Sequence, residues 1–182
     1  MLPLLMAGAP LFMKPHRFSM LSAALLLSAN ALANPALSAQ EESAMPSAST
    51  MLRPVNPAGA VIPGISSAVV VESGRMMFLS GHVPMDAGGA VLPPDLESQL
   101  DQVFKNLSAT LEAAGATPRQ LARITIYVRD FQADQLPAIR RARDRFIDQE
   151  RPPASTLIGA AELFHPNVLV EMDAIAVLPP DA

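Results

Sequence analysis

The sequence has no cysteine, no tryptophan and a single tyrosine among its 182 residues. Without cysteine there is no disulfide, no thiolate nucleophile and no cysteine-based metal site. Aromatic residues make up 4% of the chain, too few for the stacking platforms that single-stranded nucleic acid needs. Basic charge is also short: 13 Lys and Arg stand against 17 Asp and Glu, a formal net charge of −4. Nucleic-acid binders present a basic face, so DNA and RNA are not expected as partners. Histidine numbers three. His82 and His165 fall in predicted loops and are not grouped with carboxylates at ligand spacing, so neither a metal site nor a Ser-His-Asp nucleophile is expected.

No apolar run is long enough to span a membrane. Met20 to Leu32 falls short of the roughly 20 residues that a spanning helix needs. Met13-Lys14-Pro15-His16-Arg17 before it is a short basic start. Ala31-Leu32-Ala33 fits the small-x-small cleavage rule, with Leu37-Ser38-Ala39 as a second candidate. Residues 1–39 therefore read as a secretory signal with Met13 as the expected true start. The mature protein is expected to be periplasmic or secreted, with no membrane attachment after cleavage. Export without disulfides raises no conflict. Residues 40–51 are small and polar and are expected to be a disordered lead-in. Residues 52–182 form one domain, long enough for one core. Removing Lys14 and Arg17 leaves 11 of the 13 basic residues against 17 acidic ones, net −6.

Periodicity supplies the elements. Ser66 to Val71 and Met76 to Ser80 flank the turn Glu72-Ser73-Gly74-Arg75 and read as a hairpin. Gly81 to Pro94, rich in Gly and Pro, reads as a loop. Leu96, Leu100, Val103, Phe104, Leu107, Leu111 and Ala114 recur at spacings of three and four, which predicts a helix capped by Asp95 and ended by Gly115. Arg123 to Arg129 alternates and predicts a strand. A second helix is expected from Asp134 to Gln149, with Pro137 in its first turn. Thr156 to Leu163 and Val168 to Leu178 are the last strands. The order β-β-α-β-α-β-β predicts an α+β domain: one mixed sheet with two helices on one face. Its opposite face would be apolar and exposed, which favours oligomerisation.

Chemistry gathers near the C-terminus. The last strand places Glu171 and Asp173 on one face. Glu171 either orients a water or is an interface carboxylate held by backbone amides; Asp173 reads as structural. Ser155 and Thr156 either donate hydrogen bonds to a ligand or satisfy local backbone at a strand start. Arg143 falls inside the apolar stripe of the second helix, Leu136, Ile139, Phe146 and Ile147, with Arg140 at its edge. Either the stem packs and the head reaches water, or Arg143 or Arg140 pairs with a carboxylate or offers a ligand a cation.

Five stretches in order carry a resemblance: Phe78 to Pro84; Gln99, Asn106-Leu107 and Leu111 to Ala116; Thr125 to Asp130; Pro153 to Thr156; and Val170 to Ala176. Together they resemble the RidA (reactive intermediate deaminase, YjgF-like) family over about residues 55–178. The resemblance implies a chorismate-mutase-like fold and a homotrimer whose sheets form a central barrel with ligand clefts between subunits. It implies hydrolysis of reactive imines and enamines to a keto acid and ammonia, without a cofactor. Glu171 matches the family glutamate that positions water, and Ser80 and Gly81 match the loop lining the cleft. Ser155 stands where the motif Pro-Ala-Arg-Ser has the arginine that grips the substrate carboxylate by a bidentate contact. Ile65 stands nearest the position of a cleft tyrosine. Serine supplies neither the charge nor the fork, so the chain resembles an Arg-less branch, and 2-imino acids are not its expected substrates. Two readings follow. One is a trimer that binds a small polar metabolite and hydrolyses an imine, enamine or related C–N bond. The other is a ligand-binding or chaperone-like module that has lost the chemistry. A ribonuclease reading is opposed by the charge and the scarce aromatics.

Overall fold

A computed structural model describes residues 47–180 apart from Ala60. All the described elements belong to the second of the chain's two units, residues 41–182. The proposed signal and most of the lead-in lie outside the described residues. The lead-in is shorter than expected, because Ala48–Met51 forms a helical turn, α1. Its anchor is Met51, fully buried in a small cluster with Leu52, Ala122 and Val177.

The strands are β1 (Leu52–Val55), β2 (Ala68–Val71), β3 (Arg75–His82), β4 (Leu121–Arg129), β5 (Ala154–Ala160) and β6 (Val170–Leu178). The longer helices are α2 (Leu96–Ala113) and α3 (Leu136–Phe146). They form two sheets rather than one: a β1-β2 pair, and a four-stranded sheet in the order β3-β6-β4-β5. The expected hairpin between β2 and β3 is not made. β2 pairs antiparallel with β1, from Leu52↔Val71 to Val55↔Ala68, while β3 pairs with β6. β1 escaped the sequence reading because Pro54 interrupts its pattern; proline is tolerated at such an edge, where no ladder N–H is needed. At Gly74, φ is +107° and a Cβ would lie 2.5 Å from the Leu178 carbonyl oxygen. The chain therefore passes from one sheet to the other at a position only glycine can fill.

The four-stranded sheet is mixed, with β4 and β5 parallel and the other pairs antiparallel. α2 packs its stripe Leu100, Val103, Phe104, Leu107 and Leu111 onto Val170, Met172, Ala174 and Ala176 of β6 and Ile124, Ile126 and Val128 of β4. Asp95 caps α2 by accepting from the Ser98 N–H at 2.9 Å, and Gly115, at φ +71°, ends it. α3 is shorter than predicted. A 3-10 turn over Ala133–Gln135 precedes it, and Ile147 turns extended to reach the core. β5 and β6 begin at Ala154 and Val170 rather than at Thr156 and Val168.

The sheet face away from the helices is apolar only in part. Met76 and Phe78 are 52% and 73% exposed there, beside Ile175. Further along the same strands the face turns polar, with Thr125 and Tyr127 on β4 across from Asp173 and Glu171 on β6. The apolar open face expected from the sequence is corrected accordingly: strand alternation places the carboxylates on this face, not on the packed one.

Candidate functional site

The polar half of the open face is built around a bulge. Leu79 pairs with Ala174 and His82 with Met172, so Ser80 and Gly81 together oppose Asp173. Such an extra residue bends the strand and re-aims what stands beside it. Here it creates a place for Glu171. A Cβ built on Gly81 would overlap the Glu171 carboxylate, so the carboxylate lies directly on the Gly81 backbone. Burial first, and the neighbouring charge of Asp173 second, push the Glu171 carboxyl above the usual glutamate range. Asp173 in turn accepts from the Tyr127 hydroxyl at 2.8 Å. That bond, reinforced by burial and by the charge of Asp173, raises the phenol. Tyr127 therefore stays a neutral donor that fixes Asp173 beside Glu171.

Ser80, Gly81 and Glu171 are thus brought together as the sequence reading grouped them. Tyr127 was missed as a partner of Asp173. Its signal was the alternation of Thr125 and Tyr127 on the face that also carries Glu171 and Asp173.

Ser155, Ile65 and Arg143 lie elsewhere. Ser155 pairs with Ile124, a fully buried core residue. Paired neighbours share a face, so Ser155 is on the helix side of the sheet, opposite to Glu171. Ile65 belongs to a loop docked on the start of β5. The buried Ser66 donates its hydroxyl to the Pro152 carbonyl at 2.6 Å and its N–H to the Pro153 carbonyl at 3.1 Å. The same loop is held from below by Arg143, whose side chain is 6% exposed. Its Nη2 donates to the Pro63 carbonyl at 3.0 Å and to Asp144 Oδ1 at 2.7 Å. Of the readings left open for Arg143, the structure has the carboxylate pair: the head is folded inward onto Asp144 and Pro63. Gly64 is required there, since a Cβ would meet Asp144 Oδ1 at 2.6 Å and collide with the guanidinium. Arg140 is exposed on α3. Thr156 pairs with Thr125 on the open face.

The residues expected to form one site therefore fall into two separate groups. The first, with Glu171, lies on the open face toward the β3 edge. The second, with Ser155 on the other face and Ile65 in the loop docked beside it, lies toward the β5 edge. Among the described residues no group of three or more His, Cys, Asp or Glu is placed to hold a metal ion.

The endoribonuclease L-PSP family model matches residues 62–178. A RutC family protein of Aquifex aeolicus is 30% identical over 69% of this chain and 99% of its own length. The 2-iminobutanoate/2-iminopropanoate deaminase of Dermatophagoides farinae is 30% identical over 59% of this chain and 82% of its own. Among solved structures, the conserved Rid-family protein YyfB of Yersinia pestis superposes with a TM-score of 0.66 at 34% identity, covering 70% of this chain and 99% of that one.

Proposed function

The chain belongs to the endoribonuclease L-PSP family, which includes the RutC- and Rid-named proteins, and from that premise we propose an exported homotrimer that hydrolyses a small imine, enamine or related C–N bond in clefts between subunits. The reading rests on one observation above the others: the Glu171 carboxyl, seated against Gly81, is raised by burial and by Asp173. A carboxyl raised toward working pH can both take and return a proton.

The chemistry needs no more than that. Water adds to the C=N carbon while Glu171 takes its proton and returns it to the imine nitrogen, which becomes an amine. Glu171 then takes the carbinolamine hydroxyl proton and passes it to the nitrogen, which leaves as ammonia as the C=O forms. One water is consumed and one ammonia released, with no redox change. The D. farinae relative is named as a 2-iminobutanoate/2-iminopropanoate deaminase, which supports this reaction class.

The trimer is supported by the separation of the two groups. Glu171 and Ser155 lie near opposite edges and on opposite faces, so one chain cannot bring them together. A ring of copies, each joined head to tail, would set the Glu171 half of one against the Ser155 half of the next. The exposed Met76 and Phe78 give such a ring an apolar seam. The substrate is a small polar molecule without a carboxylate, because Ser155 replaces the gripping arginine and Arg143 is engaged by Asp144. The same replacement favours the second reading, a cleft that binds without turning over. The family description names an endoribonuclease, but the net −6 of the mature chain weighs against an RNA substrate. Export rests on the basic start, the apolar run and the small-x-small site, and places the native N-terminus at Asn34 or Gln40.

The test is ammonia release from a panel of imines with and without an α-carboxylate. Turnover is expected on the uncharged members, about 10²–10⁴-fold lower in Glu171→Gln. Binding of the panel without turnover would leave the non-enzymatic module.

A further inference from the structure

The bulge that makes room for Glu171 is held from the helix side. His82, the last residue of β3, pairs with Met172, so its ring points toward α2 and away from the cleft. Its Nδ1 lies 2.7 Å from the Ser80 carbonyl oxygen. A carbonyl can only accept, so Nδ1 carries the proton. Its Nε2 lies 2.8 Å from Thr110 Oγ1 on α2, and Thr110 is 3.2 Å from the Asn106 carbonyl. Asn106 in turn donates to the carbonyls of Val83 and Met85, both at 2.9 Å. An extra residue in a bulge leaves ladder groups unpaired. Here the imidazole takes the Ser80 carbonyl and ties it to α2, the longest of the described helices.

We infer that His82 is a positioning residue for Glu171: by bonding the Ser80 carbonyl from behind, it fixes the Ser80–Gly81 bulge in the shape against which the Glu171 carboxylate lies. His82 does not touch the cleft. It acts through one peptide unit, from ring to Ser80 carbonyl to Gly81 backbone to carboxylate. The inference rests on the proposed role of Glu171 for its kinetic consequence, but not for its structural one.

A lost bond to Ser80 lets the bulge relax, and Glu171 then gains water and shifts. Misplacing a reacting group by about 1 Å costs up to roughly 10²-fold. In His82→Ala, kcat on an uncharged imine is expected to fall roughly tenfold to hundredfold, with KM little changed. His82→Asn puts an amide N–H where Nδ1 was and should recover most of the rate. His82→Gln puts its amide where Nε2 was, reaches Thr110 instead, and should not. A role confined to stability would make Asn and Gln equally poor.

The readout that does not depend on turnover is titration of Glu171 in the full chain, followed by carbon NMR of labelled glutamate. Glu171→Gln identifies the signal. Its midpoint is expected to lie above the ordinary glutamate range in the natural protein, to fall in His82→Ala and to return in His82→Asn. A midpoint unchanged in His82→Ala overturns the inference, as does equal recovery of it by Asn and Gln. If the midpoint moves as expected but no imine is turned over, the positioning stands and the proposed reaction fails. Should His82→Ala not fold, the Asn and Gln variants alone decide.

Discussion

The two edges of the four-stranded sheet are finished differently. At the β3 edge the groups around Glu171 are held by specific partners. Ser80 is held by His82, Asp173 by Tyr127, and Gly81 is small so that a carboxylate can lie on it. At the β5 edge the charge has been drawn inward instead. Arg143 is buried against Asp144 and under Pro63, and the strand start is occupied by Ser66 bonding Pro152 and Pro153. One edge keeps an organised carboxylate, and the other spends its guanidinium on holding a loop. Under the proposed function the first edge would place water and the second would no longer grip a carboxylate, and each prediction below strikes one side of that contrast.

A large loss is expected at Gly81. Its φ lies outside the left-handed region, so alanine is allowed by the backbone, and the obstacle is the Glu171 carboxylate alone. Gly81→Ala should displace that carboxylate and lower kcat about hundredfold, with a loss of about 1–3 kcal/mol from overpacking. The cause is checked by a double-mutant cycle. In a Glu171→Ala background the added methyl has nothing to strike, so most of the stability loss should vanish. A cost for Gly81→Ala that is the same in both backgrounds would mean that Glu171 does not lie on Gly81.

Next is Ser155. A charge-assisted contact to a carboxylate contributes roughly 1.5–3 kcal/mol, a factor of about ten to several hundred. The natural protein should hydrolyse 2-iminobutanoate poorly. Ser155→Arg should raise that activity by such a factor, and Glu171→Ala in the same chain should abolish the gain. Steady-state ammonia release measures both. Efficient hydrolysis by the natural protein would require another cation in the cleft. Arg140→Ala and Arg143→Ala would then identify it, and only Arg140 is exposed.

How much of this was legible in the sequence depends on what each feature needs. α2 is a local feature: its stripe, its Asp95 cap and its Gly115 stop all lie within one stretch, and all are found in the structure. The grouping of Ser80, Gly81 and Glu171 came from ordered motifs. β1 was missed because Pro54 broke the pattern. The bulge was missed because Gly81 looked like the start of a loop, and a bulge exists only relative to the partner strand. The opposite facing of Ser155 and Glu171 could not be read at all. It depends on the registers Ile124↔Ser155 and Tyr127↔Glu171, and a slip of one residue would reverse either.

The smallest effect expected is on stability, and its sign with pH tests the character of the Glu171 half directly. Glu171 is half-buried, and burial followed by the charge of Asp173 raises its carboxyl above the ordinary value of 4.5. Below that value both folded and unfolded chains hold the proton. As pH rises through it, the unfolded chain releases the proton before the folded one does, so folding loses stability until the raised folded value is passed. Glutamine cannot ionise and escapes this loss. The melting temperature of Glu171→Gln relative to the natural protein should therefore climb as pH rises from about 4.5, then level off. Because solvent screens a half-buried group, the climb should be small. A difference that falls with rising pH would mean that the folded protein favours the ionised carboxylate. Burial would then be outweighed by a cation or by N–H donors to the carboxylate, and the raised carboxyl on which the proposed reaction rests would be lost.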